Sequence, residues 1–445
     1  MRIIMPEKVK KIIAVIEAAG YEAYAVGGCV RDSVLERIPD DWDITTSARP
    51  EQVKELFSYT IDTGIKHGTV TVMMERTGFE VTTYRIDGEY EDSRHPKDVT
   101  FTGNLTEDLK RRDFTMNAMA YNDTKGLVDI FGGMEDIRTG VIRCVGDPSQ
   151  RFGEDALRMM RAVRFSAQLG YKIVSDTREA MRSLAPALQN ISPERIQTEL
   201  VKLLMSPHPE YLRIAYETGI TKQILPEFDR CMETEQDNPH HLYSVGEHTL
   251  HALQAIRPER TLRLAMLLHD IGKPVTRSTG ADGIHHFYSH QEKGAEIAHN
   301  ILLRLRFDNE TIHKVTDLVK YHDYDIMPRP VSVRRAINKI GEALIPLLFE
   351  VKAADIQAQS DYRRKEKEKK LNAVKGIYQE IIKAGECISL KTLAVSGKDL
   401  IAAGMKPGAE LGQTLNQLLE LVLEHPEYNT KEYLLQEVLA RQNNN

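Results

Sequence analysis

Two aspartates, Asp41 and Asp43, stand one residue apart just before the apolar Ile44. On an extended strand this spacing puts both carboxylates on the same face. Two neighbouring carboxylates repel each other unless a cation lies between them, and oxygen ligands of this kind suit Mg²⁺. The pair therefore predicts a Mg²⁺ site carried by a strand.

A pair of glycines, Gly27 and Gly28, ends the short apolar run at 24–26. Without a Cβ, the backbone there can approach a ligand closely. Helical composition from Val30 to Arg37 places the turn at a helix N-terminus, where free N–H groups bind anions. A phosphate-binding turn beside a divalent-metal pair indicates phosphoryl or nucleotidyl transfer.

The elements that must position these groups include two alternating segments, 67–73 and 79–84, which predict paired strands with a turn at 76–78. Glu80 on the second of these strands is a candidate third carboxylate beside the aspartate pair. The alternative for Glu80 is an ordinary exposed strand residue.

Three polar residues, Arg112, Asp113 and Asn117, follow at helical spacing. Together they offer the donors and acceptors needed to hold ribose hydroxyls and phosphates. A salt-bridged helix face is the alternative for this set.

Asp155 and Arg158 stand at i, i+3 and are expected to share a helix face, which Arg161 and Arg164 continue. Aspartate accepts hydrogen bonds and arginine donates them. Such a pair matches an exocyclic NH₂ next to a ring-nitrogen acceptor, an edge that cytosine and adenine present. Uracil and guanine would leave polar groups unpaired there. A surface ion pair is the alternative.

Histidines are concentrated in one part of the chain, since eleven of the fifteen fall between His240 and His322. An adjacent pair, His269 and Asp270, ends an apolar helix, and further histidines flank it on both sides. Imidazole and carboxylate together suit a first-row divalent metal. The segment therefore predicts a second metal site of a different kind.

Length and composition limit the class of protein. The 445 residues allow two to four domains, and a hydrophobic fraction of 41% supplies buried cores. No apolar run approaches the roughly 18 residues that span a bilayer, and the N-terminus lacks a signal-peptide core. The four cysteines lie far apart without C-x-x-C spacing, so we expect reduced thiols and a cytoplasmic protein. With a net charge of −6, a nucleic-acid partner must be held by local basic patches.

The glycine and aspartate motifs, GGCVRD at 27–32 and DDWDI at 40–44, resemble the signature of the DNA polymerase beta-like nucleotidyltransferase superfamily. More narrowly, they resemble the branch of bacterial CCA-adding tRNA nucleotidyltransferases and poly(A) polymerases. RRDFTMNA at 111–118 resembles that family's ribose-recognition motif, and EDALR at 154–158 its nucleotide-templating motif. SPERI at 192–196 resembles its last shared motif, which is expected to brace the base-reading helix.

The histidine-rich segment resembles the HD phosphohydrolase domain, through the order H…HD…H…HD. The resemblance implies a divalent transition metal with four protein ligands, and two further histidines that add a second metal or serve as acid/base groups. The four ligands are His248, His269, Asp270 and Asp323, and the two further histidines are His290 and His322. A retained scaffold with little activity is the alternative.

The resemblance implies an α+β fold, in which a small N-terminal mixed sheet with helices, the nucleotidyltransferase palm, precedes mostly all-α neck, HD and tail domains. The expected divisions are a catalytic head at 1–140, a neck with base recognition at 141–230, an HD domain at 231–330 and a helical tRNA-binding tail at 331–445.

The implied activity is template-independent addition of CCA to tRNA 3′ ends from CTP and ATP. Asp41 and Asp43 would hold two Mg²⁺ ions, with Glu80 as the third carboxylate. The implied nucleotide contacts are Gly27, Gly28 and Arg31 for the triphosphate, Arg112, Asp113 and Asn117 for the ribose, and Asp155 and Arg158, continued by Arg161 and Arg164, for the base.

Two relatives in the same family share these motifs and stay open: a poly(A) polymerase and an enzyme that adds only the A. The segment DTGIKHGTV at 62–70 and the tail resemble CCA-adding members more. A more remote alternative is chiefly an HD phosphohydrolase, against which the intact aspartate pair argues. The expected partners are tRNA 3′ ends, CTP and ATP, with no membrane and no obligate protein partner, and oligomerisation stays open.

Overall fold

The structure is a computed structural model that describes residues 2–88, 99–237, 242–281 and 283–443. The chain forms two compact units, Met1–Asp229 and Arg230–Asn445. The first unit holds a mixed sheet and helices, and the second is almost entirely helical.

The strands form one seven-stranded sheet and three two-stranded sheets in the described part of the chain. They are β1 Ala23–Val26, β2 Ile44–Thr46, β3 Thr60–Gly64, β4 Thr69–Met74, β5 Thr77–Thr83, β6 Arg85–Asp87, β7 Val99–Phe101, β8 Met119–Asn122, β9 Gly126–Asp129, β10 Val141–Ile142, β11 Lys172–Ile173, β12 Arg277–Thr279 and β13 His285–Phe287.

The α-helices fall into both units. They are α1 Glu7–Ala18, α2 Gly28–Val34, α3 Pro50–Leu56, α4 Leu105–Lys110, α5 Gly133–Thr139, α6 Pro148–Glu154, α7 Leu157–Leu169, α8 Ser175–Leu184, α9 Pro193–Leu204, α10 Leu212–Glu217, α11 Ile220–Ile224, α12 Pro226–Met232, α13 Val245–Ala255, α14 Arg260–Leu268, α15 Lys273–Thr276, α16 His290–Arg304, α17 Asn309–Tyr321, α18 Pro330–Ile340, α19 Ile345–Ala358, α20 Arg364–Ala384, α21 Gly397–Ala402, α22 Ala409–Glu424 and α23 Lys431–Asn443. Short 3₁₀ helices lie at Ile65–His67, Thr115–Asn117, Ala185–Asn190, Pro209–Tyr211 and Pro426–Tyr428.

The large sheet has the strand order β3-β4-β5-β2-β1-β8-β9. Strands β2 and β5 run parallel, and the other neighbouring strands run antiparallel. Helix α1 packs on β1 and β2 through a buried stripe of valine and isoleucine. This arrangement confirms the expected α+β fold with a mixed N-terminal sheet.

The hairpin between β4 and β5 turns one to two residues earlier than the sequence predicted. Met74 pairs with Thr77, so Glu75 and Arg76 form a two-residue turn. Both have positive φ, 49° and 65°, the geometry that matches the twist of a tight hairpin.

The helical part of the first unit is built around α7, which packs against α9. The sequence predicted one continuous helical face across Asp155 and Arg158, but the helix breaks there. Asp155 has φ −142° and ψ 102°, and its Oδ1 accepts a hydrogen bond from the Leu157 N–H at the start of α7. Asp155 therefore lies between α6 and α7, whereas Arg158 lies in the first turn of α7.

In the second unit, α13 packs on α14 and α19, while α17 packs on α14 and α16. These contacts bring residues from 245 to 358 together. A separate apolar cluster, which includes Leu400, Leu418 and Leu434, joins α21, α22 and α23 at the C-terminal end. The helical character expected of the tail is therefore present, while its contact with tRNA stays a prediction.

All four cysteines are buried and form no disulfide, as their spacing predicted. Within the described ranges, no helix combines the length and the hydropathy that a bilayer crossing requires. The cytoplasmic location and the four-domain division stay predictions.

Candidate functional site

The side chain of an arginine, Arg112, covers the turn at Gly27. Gly27 has φ +81°, and a Cβ placed there would lie 3.1 Å from Nη1 of Arg112. Helix α2 begins at the next residue, and Arg31 in its first turns is buried. The sequence-predicted phosphate turn is therefore flanked by two guanidinium groups.

Arg31 links this turn to the predicted ribose-binding residues. Its Nη1 donates to Oδ1 of Asn117 at 2.7 Å, and its Nη2 pairs with Asp32 at 2.8 Å. Asn117 in turn donates from Nδ2 to Oδ1 of Asp113 at 3.1 Å. The structure thus brings Arg31, Asp113 and Asn117 into one buried network, and the role of Arg112, Asp113 and Asn117 in holding ribose stays a prediction.

The three candidate carboxylates lie next to this turn. Asp41 and Asp43 precede β2 rather than lying within it, but the Asp43 carbonyl accepts from the Val26 N–H at 3.0 Å, so the backbone is already paired with β1. Ile44 pairs with Val81 in the parallel β2–β5 ladder, which sets Glu80 beside Asp43.

The pKa of Asp43 depends on the charges of its neighbours. Desolvation raises the pKa of Asp43, the charges of Glu80 and Asp41 raise it further, and Arg112 lowers it. The concentration of negative charge is the kind that a cation relieves, and the oxygen-only donor set fits Mg²⁺. Among the described residues, sets of three candidate ligands within 4.8 Å of one another occur only in the second unit, so the oxygens of Asp41, Asp43 and Glu80 do not converge that closely.

Two ion pairs link α7 to other parts of the first unit near this site. Asp113 accepts from Arg161, with Nη2 at 2.6 Å, and Arg164 on the same helix pairs with Glu199 at 2.5 Å. Burial and the Arg161 charge act in opposite directions on the pKa of Asp113, and the net effect lowers it. The ring of Phe165 lies 4.8 Å from the Arg31 guanidinium carbon, so α7 also contacts the catalytic turn's helix.

Asp155 and Arg158 do not lie on the continuous helix face that the sequence predicted, and each side chain has partners of its own. Asp155 Oδ2 accepts from Arg195 of SPERI at 2.8 Å. Arg158 donates to Glu154 at 2.7 Å and to the Arg111 carbonyl at 3.0 Å. The physical reason is the helix break at Asp155, which lets a different helix, α9, reach its carboxylate.

Two residues that the sequence analysis did not single out support this site. Asp108 is fully buried and accepts from Thr45 at 3.0 Å, while pairing with Arg111 and Arg112. Glu154 bridges Arg151 and Arg158 at 2.6 Å and 2.7 Å. The signals available in the sequence were an acidic residue three positions before Arg111 and the glutamate that opens the EDALR motif.

The second unit contains a buried set that we call the His/Asp cluster: His248, His269, Asp270, His290, His322 and Asp355. In its first half, Nε2 of His269 lies 3.2 Å from Oδ2 of Asp270, and Nε2 of His248 lies 3.8 Å from the same oxygen. Oδ1 of Asp355 lies 2.8 Å from Nε2 of His248 and 3.8 Å from Nε2 of His269. Two imidazoles and two carboxylates thus converge.

The other half of the cluster uses the second oxygen of Asp270. Nε2 of His290 and Nε2 of His322 each lie 3.6 Å from Oδ1 of Asp270 and 3.2 Å from each other. A single carboxylate therefore faces one histidine pair with each oxygen. Such an arrangement suits a carboxylate that bridges two metal ions.

The histidine tautomers fit metal ligation. Nδ1 of His269, His290 and His322 each lies within 2.8 Å of a backbone carbonyl, to which it donates. Their Nε2 atoms are then acceptors aimed into the cluster, the usual support for a histidine ligand. Nε2 of His269 is buried without a hydrogen bond, and a cation in the cluster would satisfy it.

Charge in the cluster is set by its neighbours. Burial would raise the pKa of Asp270, but His269 and Lys273 lower it well below its usual range, and Lys273 Nζ lies 2.7 Å from Oδ2. Asp355 also has a lowered pKa because the hydrogen bond and charge of His248 outweigh its burial. Both carboxylates are therefore held ionised, as ligands must be.

Asp323, which the HD pattern predicted as the fourth ligand, lines the same cavity as Asp270 and His322, and its role as a ligand stays a prediction. Its side chain is exposed, and Asp355, 32 residues further along by the numbering, takes the position next to His248 and His269. The reason is that Asp323 follows the end of α17, whereas Asp355 lies on α19, which packs against α13. A lone aspartate within the mostly apolar sequence of α19 was the available signal.

Comparison with protein families assigns three parts of the chain. Residues 23–143 match the Poly A polymerase head domain, and residues 170–232 match the family described as "Probable RNA and SrmB-binding site of polymerase A". Residues 283–438 match tRNA nucleotidyltransferase domain 2. The fold and the first site thus define a nucleotidyltransferase of the poly(A) polymerase head class.

Individual relatives narrow the assignment. The chain is 38% identical over 421 residues to a CCA-adding enzyme of Lactobacillus helveticus, covering 94% of this chain and 92% of the relative. A CCA-adding enzyme of Levilactobacillus brevis is 35% identical over 432 residues, covering 93% and 92%. The solved Bacillus stearothermophilus CCA-adding enzyme in complex with CTP is 30% identical, with TM-score 0.70, covering 99% of this chain and all of that one. The chain belongs to the family of CCA-adding enzymes.

This result confirms the family that the motifs of the first unit predicted. The resemblance of the histidine-rich segment to an HD domain stays a prediction.

Proposed function

We propose that the protein adds CCA to tRNA 3′ ends, taking its nucleotides from CTP and ATP. The observation that carries the proposal is the set of acids Asp41, Asp43 and Glu80 beside the Gly27 turn under Arg112. Family membership and the CTP complex of a 30% identical relative support the choice of substrates.

The reaction joins the RNA 3′-oxygen to the α-phosphorus, breaks the bond to pyrophosphate and releases the hydroxyl proton. Divalent ions held by Asp41 and Asp43 would supply activation of the hydroxyl and neutralisation of the leaving pyrophosphate. Glu80 adds a third negative charge beside Asp43 and holds Asp43 in a field that favours cation binding.

The chain's own groups bind the nucleotide. The Gly27 turn lies at the start of α2, while Arg31 and Arg112 supply positive charge on either side of the turn. Asn117 and Asp113, already fixed by Arg31 and Arg161, present an amide and a carboxylate to ribose hydroxyls. The network is preassembled, so little ordering is needed when the nucleotide binds.

Base choice is assigned to Asp155 and Arg158, in spite of their separate partners. The carboxylate would accept from the exocyclic NH₂ of cytosine or adenine, and the guanidinium would donate to the ring nitrogen. Arg195 and Glu154 hold the two side chains in place, and Arg161 and Arg164 anchor the same helix.

The test uses purified protein, Mg²⁺, and tRNA transcripts that lack CCA, lack only the A, or are complete. CTP and ATP are offered separately and together. Addition of two C and one A, followed by a stop, supports the proposal. Addition of A to the CC-ended transcript alone would identify an A-adding enzyme, and unlimited A tails would identify a poly(A) polymerase.

We infer a second activity for the second unit, the metal-dependent hydrolysis of phosphate esters. The observation that favours it is Asp270, whose two oxygens face two separate histidine pairs. A first-row divalent ion suits these nitrogen and oxygen ligands and would supply Lewis-acid chemistry for the attack of water on phosphorus. Lys273 lies 2.7 Å from Asp270 and would add positive charge beside the phosphate group of a bound ester.

Calorimetric titration of the metal-stripped full chain with Mn²⁺ or Ni²⁺ tests this activity together with hydrolysis of p-nitrophenyl phosphate. Binding that is lost in His269→Ala, together with turnover that depends on the added metal, supports it. Metal binding without turnover would leave a structural metal and contradict the proposed hydrolase.

A further inference from the structure

A cleft leads away from the His/Asp cluster within the second unit. A cavity of about 580 Å³ is lined by Asp270, His290 and His322 of the cluster. A second cavity, of about 440 Å³, runs along α19 and α20 and shares His322 with the first. Because the two cavities also share Asp323, Asp355, Gln359 and Lys367 in their linings, they form one continuous cleft.

The part of the cleft farther from the cluster, the 440 Å³ cavity, is apolar on several sides, and we call it the chamber. Its apolar lining comes from Ile326, Phe349, Ile356, Leu371 and Val374. Sites for small organic molecules have volumes of about 300–1,000 Å³ and are mostly apolar with few polar groups. The chamber therefore has the size and lining to hold one organic ring system.

Lys352 faces this apolar chamber. It lies on α19 three residues before Asp355, so the two side chains share a helix face. Among the residues that the structure describes, none forms a hydrogen bond or a close ion pair with its Nζ. Burial lowers the pKa of Lys352, against the opposing charges of Asp323, Asp355 and Asp325. A desolvated ammonium without a hydrogen-bond acceptor costs free energy that a bound anion would offset.

Further positive charge lines the same cleft. Lys273 and Lys367 belong to its lining near the cluster, and Lys370 lies in the chamber, where its Nζ is 2.5 Å from Asp325. Any divalent cation in the His/Asp cluster would add to this charge. Asp270, Asp323, Asp325 and Asp355 line the cleft as well and balance its lysines, so the entrance to the chamber favours an anion once a divalent cation is bound in the cluster.

We propose that the cleft binds a phosphate monoester, with its phosphate between the His/Asp cluster and Lys352 and a flat, apolar ring of its alcohol part in the chamber. This rests on the hydrolase function proposed above and names its substrate class. Lys352 acts as a phosphate-binding residue, and the apolar lining selects the alcohol part.

The test compares two inert probes, methylphosphonate and phenylphosphonate, which carry the same anionic head and differ in the ring. Calorimetry with the Mn²⁺-loaded full chain is expected to give about tenfold tighter binding of phenylphosphonate, because the ring is removed from water. Lys352→Met is expected to weaken both probes by about tenfold, and Lys352→Arg to restore part of the loss. Lys365→Met, an exposed lysine on α20, is the matched control and keeps wild-type binding.

A stability measurement separates binding from a structural role. If Lys352 is retained for ligand binding, Lys352→Met removes a buried charge and raises the midpoint of thermal unfolding. A lowered midpoint would show a structural lysine and overturn the assignment.

The remaining outcomes are also decisive. Equal affinity for the two probes would overturn the role of the chamber, and unchanged binding by Lys352→Met would overturn the role of the lysine. Failure of the wild type to bind Mn²⁺ would instead overturn the hydrolase itself, so the two failures are distinguishable.

Discussion

Asp113 connects three parts of the first unit through a single buried carboxylate. Its two oxygens accept from the Phe114 N–H, from Asn117 and from Arg161. These contacts lower its pKa in the folded state, although its burial acts in the opposite direction. A residue proposed to hold the ribose is thus also a stabilising centre of the fold.

The first prediction concerns the contribution of Asp113 to the stability of the first unit. Asp113→Asn leaves Arg161 without its carboxylate and is expected to cost about 2 kcal/mol at pH 7, since a third of the Arg161 side chain reaches solvent. A lowered folded pKa gives stability that is full above the unfolded value of about 3.9 and is lost as the pH falls through the folded pKa. The gap between wild type and variant should therefore narrow below about pH 4.

Urea unfolding followed by the fluorescence of Trp42, the chain's one tryptophan, measures this in the first unit. Asp62→Asn, which removes an exposed pair with Lys54, is the control and should change stability by less than about 0.5 kcal/mol. A gap that stayed constant from pH 7 to pH 3 would contradict the lowered pKa.

The second prediction tests which aspartate completes the His/Asp cluster. Asp355→Ala removes an oxygen 2.8 Å from Nε2 of His248 and should weaken Mn²⁺ binding by at least about tenfold. Asp323→Ala is the matched comparison, because Asp323 lines the same cavity but has an exposed side chain, whereas Asp355 contacts His248 and His269. Calorimetry measures both, and the opposite order would restore the ligand set that the HD pattern predicted.

At the scale of an element, the turn between β1 and α2 depends on Gly27, where a side chain would collide with Arg112. Gly27→Ala meets both a positive φ of 81° and the Arg112 guanidinium 3.1 Å away. We expect it to cost about 1–2 kcal/mol of stability and to raise the KM for CTP and ATP. Arg112 must move, and it is one of the two groups proposed to hold the triphosphate.

Gly20→Ala is the control that separates backbone strain from crowding against a neighbouring side chain. Gly20 has φ +89° but nothing within 4 Å of the added Cβ, so it carries the backbone strain alone. Stability should fall in both variants, as read by unfolding, whereas the KM for the nucleotide should rise only in Gly27→Ala. Equal kinetic effects would mean that crowding against Arg112 has no role.

Helix α9 contacts Asp155, one of the two residues proposed to read the base, through Arg195. Arg195→Met frees the Asp155 carboxylate from its 2.8 Å contact, and we expect incorporation of U and G to rise about tenfold relative to C and A. Arg195→Lys should recover part of the discrimination because it keeps the charge. Steady-state incorporation of each NTP measures this, and a uniform loss with all four would indicate a merely structural arginine.

At the scale of the whole molecule, the two candidate sites belong to separate compact units and share no residue. Asp41→Ala combined with Asp43→Ala should abolish nucleotide addition, by at least about a thousandfold, and leave phosphate-ester hydrolysis unchanged. Asp270→Ala should do the reverse. Assays of both reactions on each variant measure this, and the loss of both activities in either variant would mean that the sites depend on each other.

The sequence by itself determined the parts of the fold and site that depend on local pattern. The resemblance carried by the local motifs implied the α+β class with its mixed sheet, and the alternating segments predicted the β4–β5 pair. The position of Glu80 was left open, and it depends on the pairing of β2 with β5. The glycine turn followed from the absence of a Cβ, which requires no knowledge of the neighbours.

Only the tertiary structure decided which distant groups meet. Asp355, which the sequence analysis did not name, lies beside His248 because α19 packs against α13. Arg195 pairs with Asp155 because the helix breaks where a continuous face was expected. Contacts between residues separated by tens to more than a hundred positions depend on how helices pack. Packing is fixed by the fit of whole surfaces, which local spacing does not encode.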